Sequence, residues 1–565
     1  MLWWCALSLS AAVAADQDAV LEALDTELAR SMAAFDEPTA DTPPEAMPPY
    51  FLGYRVVDEH SVSIKARHGA LLRVHEDHER SLDVSARVGT YALDNTHQVR
   101  DASWTDFALH FPHELSLEDD VMALRAGIWT ATWPEIRSAR ERYARVLANR
   151  SVKVTEESPA DDFSREAPAV DVQDGVAFDV DVARWTDLVV DLSERLDDHP
   201  LVESSSASVN TSTTVEYIVT SEGTRIRQPR AWGRVALTAK TTADDGMDLR
   251  LYRWQDVHAE DAWPDQATLR AWADDLRDDL LALRSAEKGE PYTGPVLLNG
   301  AAAGVFIHEV LGHRSEGHRQ KDTDEGHTFR DKVGETLLPT SISIIDDPTV
   351  EVYADQHLNG YYAYDQEGVP AAPAVLVEDG VYRGFLMGRS PVEGFDHSNG
   401  HGRAQVGELP VARMANTIVS TTDPHTEAEL RQELVAQAKA QGRDYGLLVD
   451  EIGGGFTLTG RVYPNAFNVR ATYATKVYVD GRPDELVRGV DLVGTPLVAL
   501  TNILAAGDDP GVFNGFCGAE SGMVPNSAVS PSLLIRQLEV QKKEKGEDPP
   551  PVLDKPSTQD KGGAA

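Results

Sequence analysis

The chain is 565 residues long, more than one hydrophobic core usually organises, so two or more folded units are expected. Hydrophobic residues make up 42% and charged residues 25%, the proportions of a globular protein rather than a disordered or membrane-spanning one. Lysine plus arginine number 52 against 92 aspartate plus glutamate; a net charge of -40 repels a phosphate backbone, which weighs against nucleic acid as a partner and leaves neutral or cationic peptides as admissible substrates.

The first segment, Leu2 to Ala15, is uncharged, apolar through Trp3, Trp4, Leu7 and Leu9, and ends in small residues before Asp16. That is the pattern of a signal peptide over residues 1–15, with a short buried helix as the alternative, and it predicts export to the periplasm or beyond the cell. No other stretch reaches the roughly 18 to 20 apolar residues needed to cross a bilayer, so no integral membrane segment is expected. Of the two cysteines, Cys5 falls within the removed segment and Cys517 is left alone. A lone thiol in an oxidising compartment forms no internal disulfide, and a metal would occupy it.

Leu21, Leu24, Leu28, Met32 and Phe35 recur at helical spacing, and the Pro-rich stretch Glu37 to Pro49 ends that helix. Alternating segments from Phe51 to about Arg100 predict half-buried strands. Leu117 to Ala148 reads as two helices, since Pro134 breaks a continuous one and suits the first turn of a second. Strands are expected at Thr214–Val219 and Ala231–Thr241, then a helix over Gln266–Ser285 with Leu269, Trp272, Leu276, Leu280 and Leu283 on one face. The break Lys288-Gly289-Glu290-Pro291 sets a boundary between units at 16–290 and 291–545. Residues 546–565 have almost no apolar content and read as a disordered tail.

Beyond the boundary, Asn299 to His313 reads as a turn followed by a strongly apolar helix that presents His308, Glu309 and His313. Buried helices seldom carry three ionisable groups without cause. Two imidazoles can hold zinc, and an adjacent carboxylate can serve as general base for water activated there. The histidines are five apart, not the four of the common His-Glu-x-x-His motif, and in a regular helix that sets them roughly 140° apart. A π-bulge or a helix end, eased by Gly312, would bring them together. On these residues alone, metal binding and packed core histidines stand level, and Glu316, His318 and His327 compete as ligands.

The run His308-Glu309-Val310-Leu311-Gly312-His313-Arg314-Ser315-Glu316-Gly317 resembles the metal-binding signature of the TldD/PmbA family, in its active TldD-like branch. Further matches follow in the family's order: Asp365-Gln366-Glu367-Gly368-Val369-Pro370, Gly402-Arg403, Arg413 to Thr417, Gly453-Gly454-Gly455, and Phe516-Cys517-Gly518 leading to Val524-Pro525. The resemblance spans about residues 290 to 545. It implies a zinc metallopeptidase with His308, His313 and Cys517 as ligands and Glu309 as base. It also implies flexible or unfolded peptides as substrates, and a homodimer or a pairing with an inactive relative. The implied architecture is α+β, an N-terminal domain of helices on an antiparallel sheet followed by a β-rich domain carrying the metal-binding helix.

Gly453, Gly454 and Gly455 lack the lysine of a phosphate loop. They read as a strand to which a peptide could add, or as a bulge. His401 and Arg403 could polarise a substrate carbonyl, although Arg403 reads first as a structural ion pair; Tyr361, Tyr362 and Tyr364 read as packing. Two rivals remain: a hydrolase with Cys517 as nucleophile, and an exported scaffold or binding protein with no catalysis.

Overall fold

The computed structural model describes residues 18–35, 37–39, 41–99, 112–152, 158–321, 325–462, 465–543, 553 and 555–556. The expected signal peptide and nearly all of the expected tail lie outside the described residues.

Helix α1 (Ala19–Met32) starts at Asp18, whose carboxylate accepts the Val20 and Leu21 amides, and buries Leu21, Leu24 and Leu28 as their spacing predicts. A long hairpin follows, β1 (Pro49–Arg67) and β2 (Ala70–Thr90). The next segment corrects the expectation of two helices: α2 (Val121–Val152) is one helix with Pro134 inside it. Pro134 and Thr130 are exposed, so the Thr130 carbonyl that loses its amide donor can turn to water. After α3 (Val182–Asp197) come β3 (Ser204–Thr220), β4 (Arg225–Thr242), β5 (Asp248–Val257) and α4 (Gln266–Ser285).

The strands pair in the order β2-β1-β3-β4-β5, each neighbour antiparallel. Alternation divides the sheet's two faces. Val235, Leu237 and Leu251 pack with Leu188 and Leu192 of α3 and Leu276 and Leu280 of α4. The intervening Arg234, Ala236, Tyr252 and Trp254 face away, toward a cleft. Trp272, placed by its spacing on the packed face, is half-buried there.

The second half is β-rich. Strands β6 (Tyr292–Leu298), β7 (Ile342–Asp346), β8 (Ala374–Glu378), β9 (Asn416–Thr421), β10 (Tyr445–Thr457), β11 (Phe467–Tyr478), β12 (Val490–Gly494), β13 (Ile503–Gly507), β14 (Gly511–Ala519), β15 (Gly522–Ser530) and β16 (Leu533–Lys542) form two sheets. In one, β16 pairs with β6, β6 with β10, β10 with β11, β11 with β12, and β12 with β16 again, a closed ring with only the β6–β10 pair parallel. In the other the order is β8-β7-β9-β15-β14. Helix α5 (Gly300–Val310) lies between them, packed on β10 and on β14 and β15. Every residue from Ala302 to Val310 is buried. Gly304 permits the closeness, because a Cβ there would come 2.9 Å from the Ala528 carbonyl oxygen.

The fold is therefore α+β, with helices on one face of an antiparallel sheet and a β-rich second half. Among the described residues no helix is long and apolar enough to cross a membrane.

Candidate metal centre

Asn299 caps α5 by accepting the Ala302 amide at 3.1 Å, which fixes where the helix begins and so where its last turn ends. The helix stops at Val310, and a 3₁₀ segment runs over Gly312–Ser315. Of the two ways of bringing the histidines together, the chain uses the helix end and not a π-turn. Gly312 sits in the bend against Met414, where a Cβ would collide with the sulfur. His308 and His313 then stand with ring centroids 4.9 Å apart at 84°.

Cys517 arrives from the edge strand β14, its Sγ 3.3 Å from His313 Nε2. Candidate ligand atoms of His308, His313 and Cys517 lie within 4.8 Å of one another, and all three residues are buried. The two imidazoles and one thiol form a donor set that suits zinc. Around them, Asn526 contacts His308 Nδ1 at 3.2 Å. The fully buried Glu316 contacts His313 Nδ1 at 3.3 Å. Glu316 also accepts from Arg319 Nε at 2.7 Å, and Arg413 Nε lies 3.3 Å away. Although burial pushes Glu316 up, His313, Arg319 and Arg413 hold it down at about 2. A carboxylate on Nδ1 orients the ring and leaves Nε2 for a metal.

The charges within the cluster are coupled. Burial pushes the Cys517 thiol up, but His313 and His308 outweigh it and hold it well below the usual thiol range. Burial also pushes Glu309 up, opposed by the two histidines. Glu309 is 5% exposed, and its Oε2 has no hydrogen-bond partner among the described residues. Gly455 of β10 is pressed against it: a Cβ there would come 2.8 Å from Glu309 Cγ. An orphan carboxylate oxygen beside a three-donor cluster is where a base for water would stand.

The cluster opens into a cleft of about 700 Å³. Gly453, Gly454 and Gly455 line it, beside Glu309. The β10–β11 register is irregular between Ile452 and Gly455, and Gly454 has φ of 115°, so the triplet is both a bulge and part of the wall. His401 and Arg403 do not line it. His401 is wholly buried, 3.2 Å from Asp346 Oδ1. In place of the expected ion pair, Arg403 donates to the Met414 carbonyl and lies over the Tyr362 ring, with no carboxylate of the described residues bonded to it. Tyr362 is packing, its hydroxyl donating to the Gly400 carbonyl. Among the competing ligands, His318 pairs with Glu520 and His327 lies near Arg461. Sequence reasoning missed Asn526 and the opposite wall, where Arg234 and Trp254 come from the first sheet. Trp254 alternates with the buried Leu251 and Leu249 of β5, a pattern that puts it on a face without assigning what that face meets.

Residues 291–542 match the PmbA/TldA metallopeptidase C-terminal domain family. A metalloprotease of Archaeoglobus fulgidus is 33% identical over 246 residues, 43% of this chain and 51% of that protein. A protein of Saccharolobus solfataricus named zinc metalloprotease TldD homolog is 25% identical over 249 residues, 44% of this chain and 51% of that protein. The chain thus spans about half the length of the curated relatives it matches. The crystal structure of TldE from Thermococcus kodakarensis superposes with a TM-score of 0.58 at 12% identity, covering 92% of this chain and 100% of that one, a likeness of fold.

Proposed function

The chain belongs to the PmbA/TldD family of metallopeptidases through residues 291–542, and from that premise we propose that it is a zinc-dependent peptidase acting on flexible or unfolded peptides. The observation that carries this reading is the buried cluster of His308, His313 and Cys517 beside the unpartnered Oε2 of Glu309. His308, His313 and Cys517 would hold the ion, a three-residue donor set of the kind that catalytic zinc sites use. When bound, the ion supplies Lewis acidity, polarising a scissile carbonyl and acidifying water. Glu309 takes the proton of the attacking water at Oε2 and delivers it to the leaving amine, so no covalent intermediate forms. Glu316 holds the Nδ1 side of His313, and the cleft gives water and substrate access to the base.

Export by the N-terminal segment and assembly as a homodimer or with an inactive relative belong to the same proposal. The lowered Cys517 thiol favours one other reading, a thiol hydrolase with a histidine as base. That chemistry leaves Glu309 and one histidine without a task.

Elemental analysis of the purified protein separates the readings. About one zinc per chain is expected, lost in His308→Ala and in Cys517→Ala, while Glu309→Gln keeps the metal and loses cleavage by roughly 10²- to 10⁴-fold. Zinc absent even after reconstitution, with peptide cleavage persisting, abolished in Cys517→Ala and kept in Glu309→Gln, would establish the thiol enzyme instead.

A further inference from the structure

The cleft continues past the metal cluster. A second cavity of about 210 Å³ shares Tyr252, Trp254, Gly453, Phe513 and Asn514 with the first, so the two form one trough beside β10. At one end stands the buried Glu309 with its orphan Oε2. At the other, Asp450 and Glu451 both line the wall.

Neighbouring residues of a regular strand point to opposite faces. Here the β10–β11 register slips on both sides of Glu451, and a bulge of this kind turns adjacent side chains toward one side. Both carboxylates are half-buried, and neither hydrogen-bonds nor ion-pairs with a described residue. Arg253, the cation of the same wall, lies 3.6 Å from both Asp275 and Asp279 of α4, and Arg431 is paired with Asp484. Burial pushes Asp450 and Glu451 above the ordinary carboxylate range, only partly offset by Arg431 and Arg253, the charges of which are shared with Asp484 and with Asp275 and Asp279. Two desolvated anions without a dedicated cation are unfavourable unless a ligand brings one.

We propose that the second cavity is a subsite for a positively charged group of the substrate, a lysine or arginine side chain or a free amino terminus, held by Asp450 and Glu451. The inference rests on the peptidase reading above. A space of this size suits an organic cation better than a single ion, and two carboxylates fall short of the six to eight oxygens that calcium takes. The strand also fixes a distance. Gly455 abuts Glu309 and Glu451 lies four residues back on β10, at most about 13 Å at about 3.3 Å per residue, since the bulge shortens the span. An extended peptide advances about 3.3–3.6 Å per residue, so the cation sits within about four residues of the bond that Glu309 attends.

The test uses acetylated, amidated, fluorescently labelled peptides of neutral residues in which one lysine is walked along the chain, beside a lysine-free peptide with a free amino terminus. Binding is read by anisotropy on zinc-loaded Glu309→Gln protein. One lysine position, or the free amine, is expected to tighten binding about ten-fold over the neutral acetylated peptide. The gain should vanish in Asp450→Asn or Glu451→Gln and at about 0.5 M salt. Equal affinity for charged and neutral peptides, or a preference that survives in both variants, would overturn the subsite. Cleavage by the unsubstituted protein keeps the two readings apart. A lysine preference in binding without any cleavage keeps the subsite and removes the peptidase; cleavage indifferent to lysine does the reverse.

Discussion

Glu316 meets His313, Arg319 and Arg413 inside the molecule, and Arg413 in turn donates to the Cys517 carbonyl at 2.6 Å. One carboxylate therefore ties the ring of one candidate ligand to the backbone of another. Replacing Glu316 by Gln keeps the shape but removes the charge that orients Nδ1–H. Zinc affinity is expected to fall about 10- to 100-fold in a chelator competition, and an unchanged affinity would leave Glu316 with a packing role alone. His308, Glu309 and His313 were legible because three ionisable groups stand in an apolar run, and Cys517 because it was an unexplained thiol. Asn526 was not, since it lies 218 positions from His308 and an asparagine in a strand announces nothing.

At the scale of elements, the strongly periodic helices were the legible ones. Leu269 to Leu283 repeat so regularly that α4 occupies the very residues expected, Gln266–Ser285. Pro134 misled because its cost depends on exposure, which a linear sequence does not display. Close packing on α5 yields a prediction: Gly304→Ala sets a Cβ 2.9–3.1 Å from Ala528 and should destabilise the protein by about 1–3 kcal/mol, measured by denaturant unfolding with bound metal followed in parallel. A neutral result would mean that α5 can shift off β15 freely. The bulge in β10 has its own signature. Burial holds the folded-state pKa values of Asp450 and Glu451 above their unfolded values, so their ionisation opposes folding, fully above the folded values and less as pH falls through them. The Asp450→Asn, Glu451→Gln pair should therefore melt about 1–2 °C higher at neutral pH, an advantage that shrinks on acidification. A lower melting temperature at neutral pH would show that the carboxylates stabilise the fold.

Across the whole molecule, the cleft exists only because the first sheet supplies one wall. Trp254 donates from Nε1 to the Asn514 carbonyl at 3.0 Å and meets Phe513 edge-on at 5.4 Å, contacts that span 260 positions. Trp254→Ala should raise KM about ten-fold with zinc content unchanged; loss of zinc instead would mean that the tryptophan braces the metal cluster. Alternation predicted strands and their faces, and the order of motifs gave the family. Which face of the first sheet meets the second half depends on pairings hundreds of residues apart, and no local pattern encodes them.

The closed ring has a temporal consequence. Its closing strand, Leu533–Lys542, pairs on one side with Tyr292–Leu298 and on the other with Val490–Gly494, and Cys517 is made only shortly before it. On a ribosome, the histidines are synthesised some 200 residues ahead of their sulfur partner, and the ring stays open until that last strand emerges. Nascent chains thus carry an incomplete donor set until Cys517 is made, so the cluster of His308, His313 and Cys517 assembles late in synthesis.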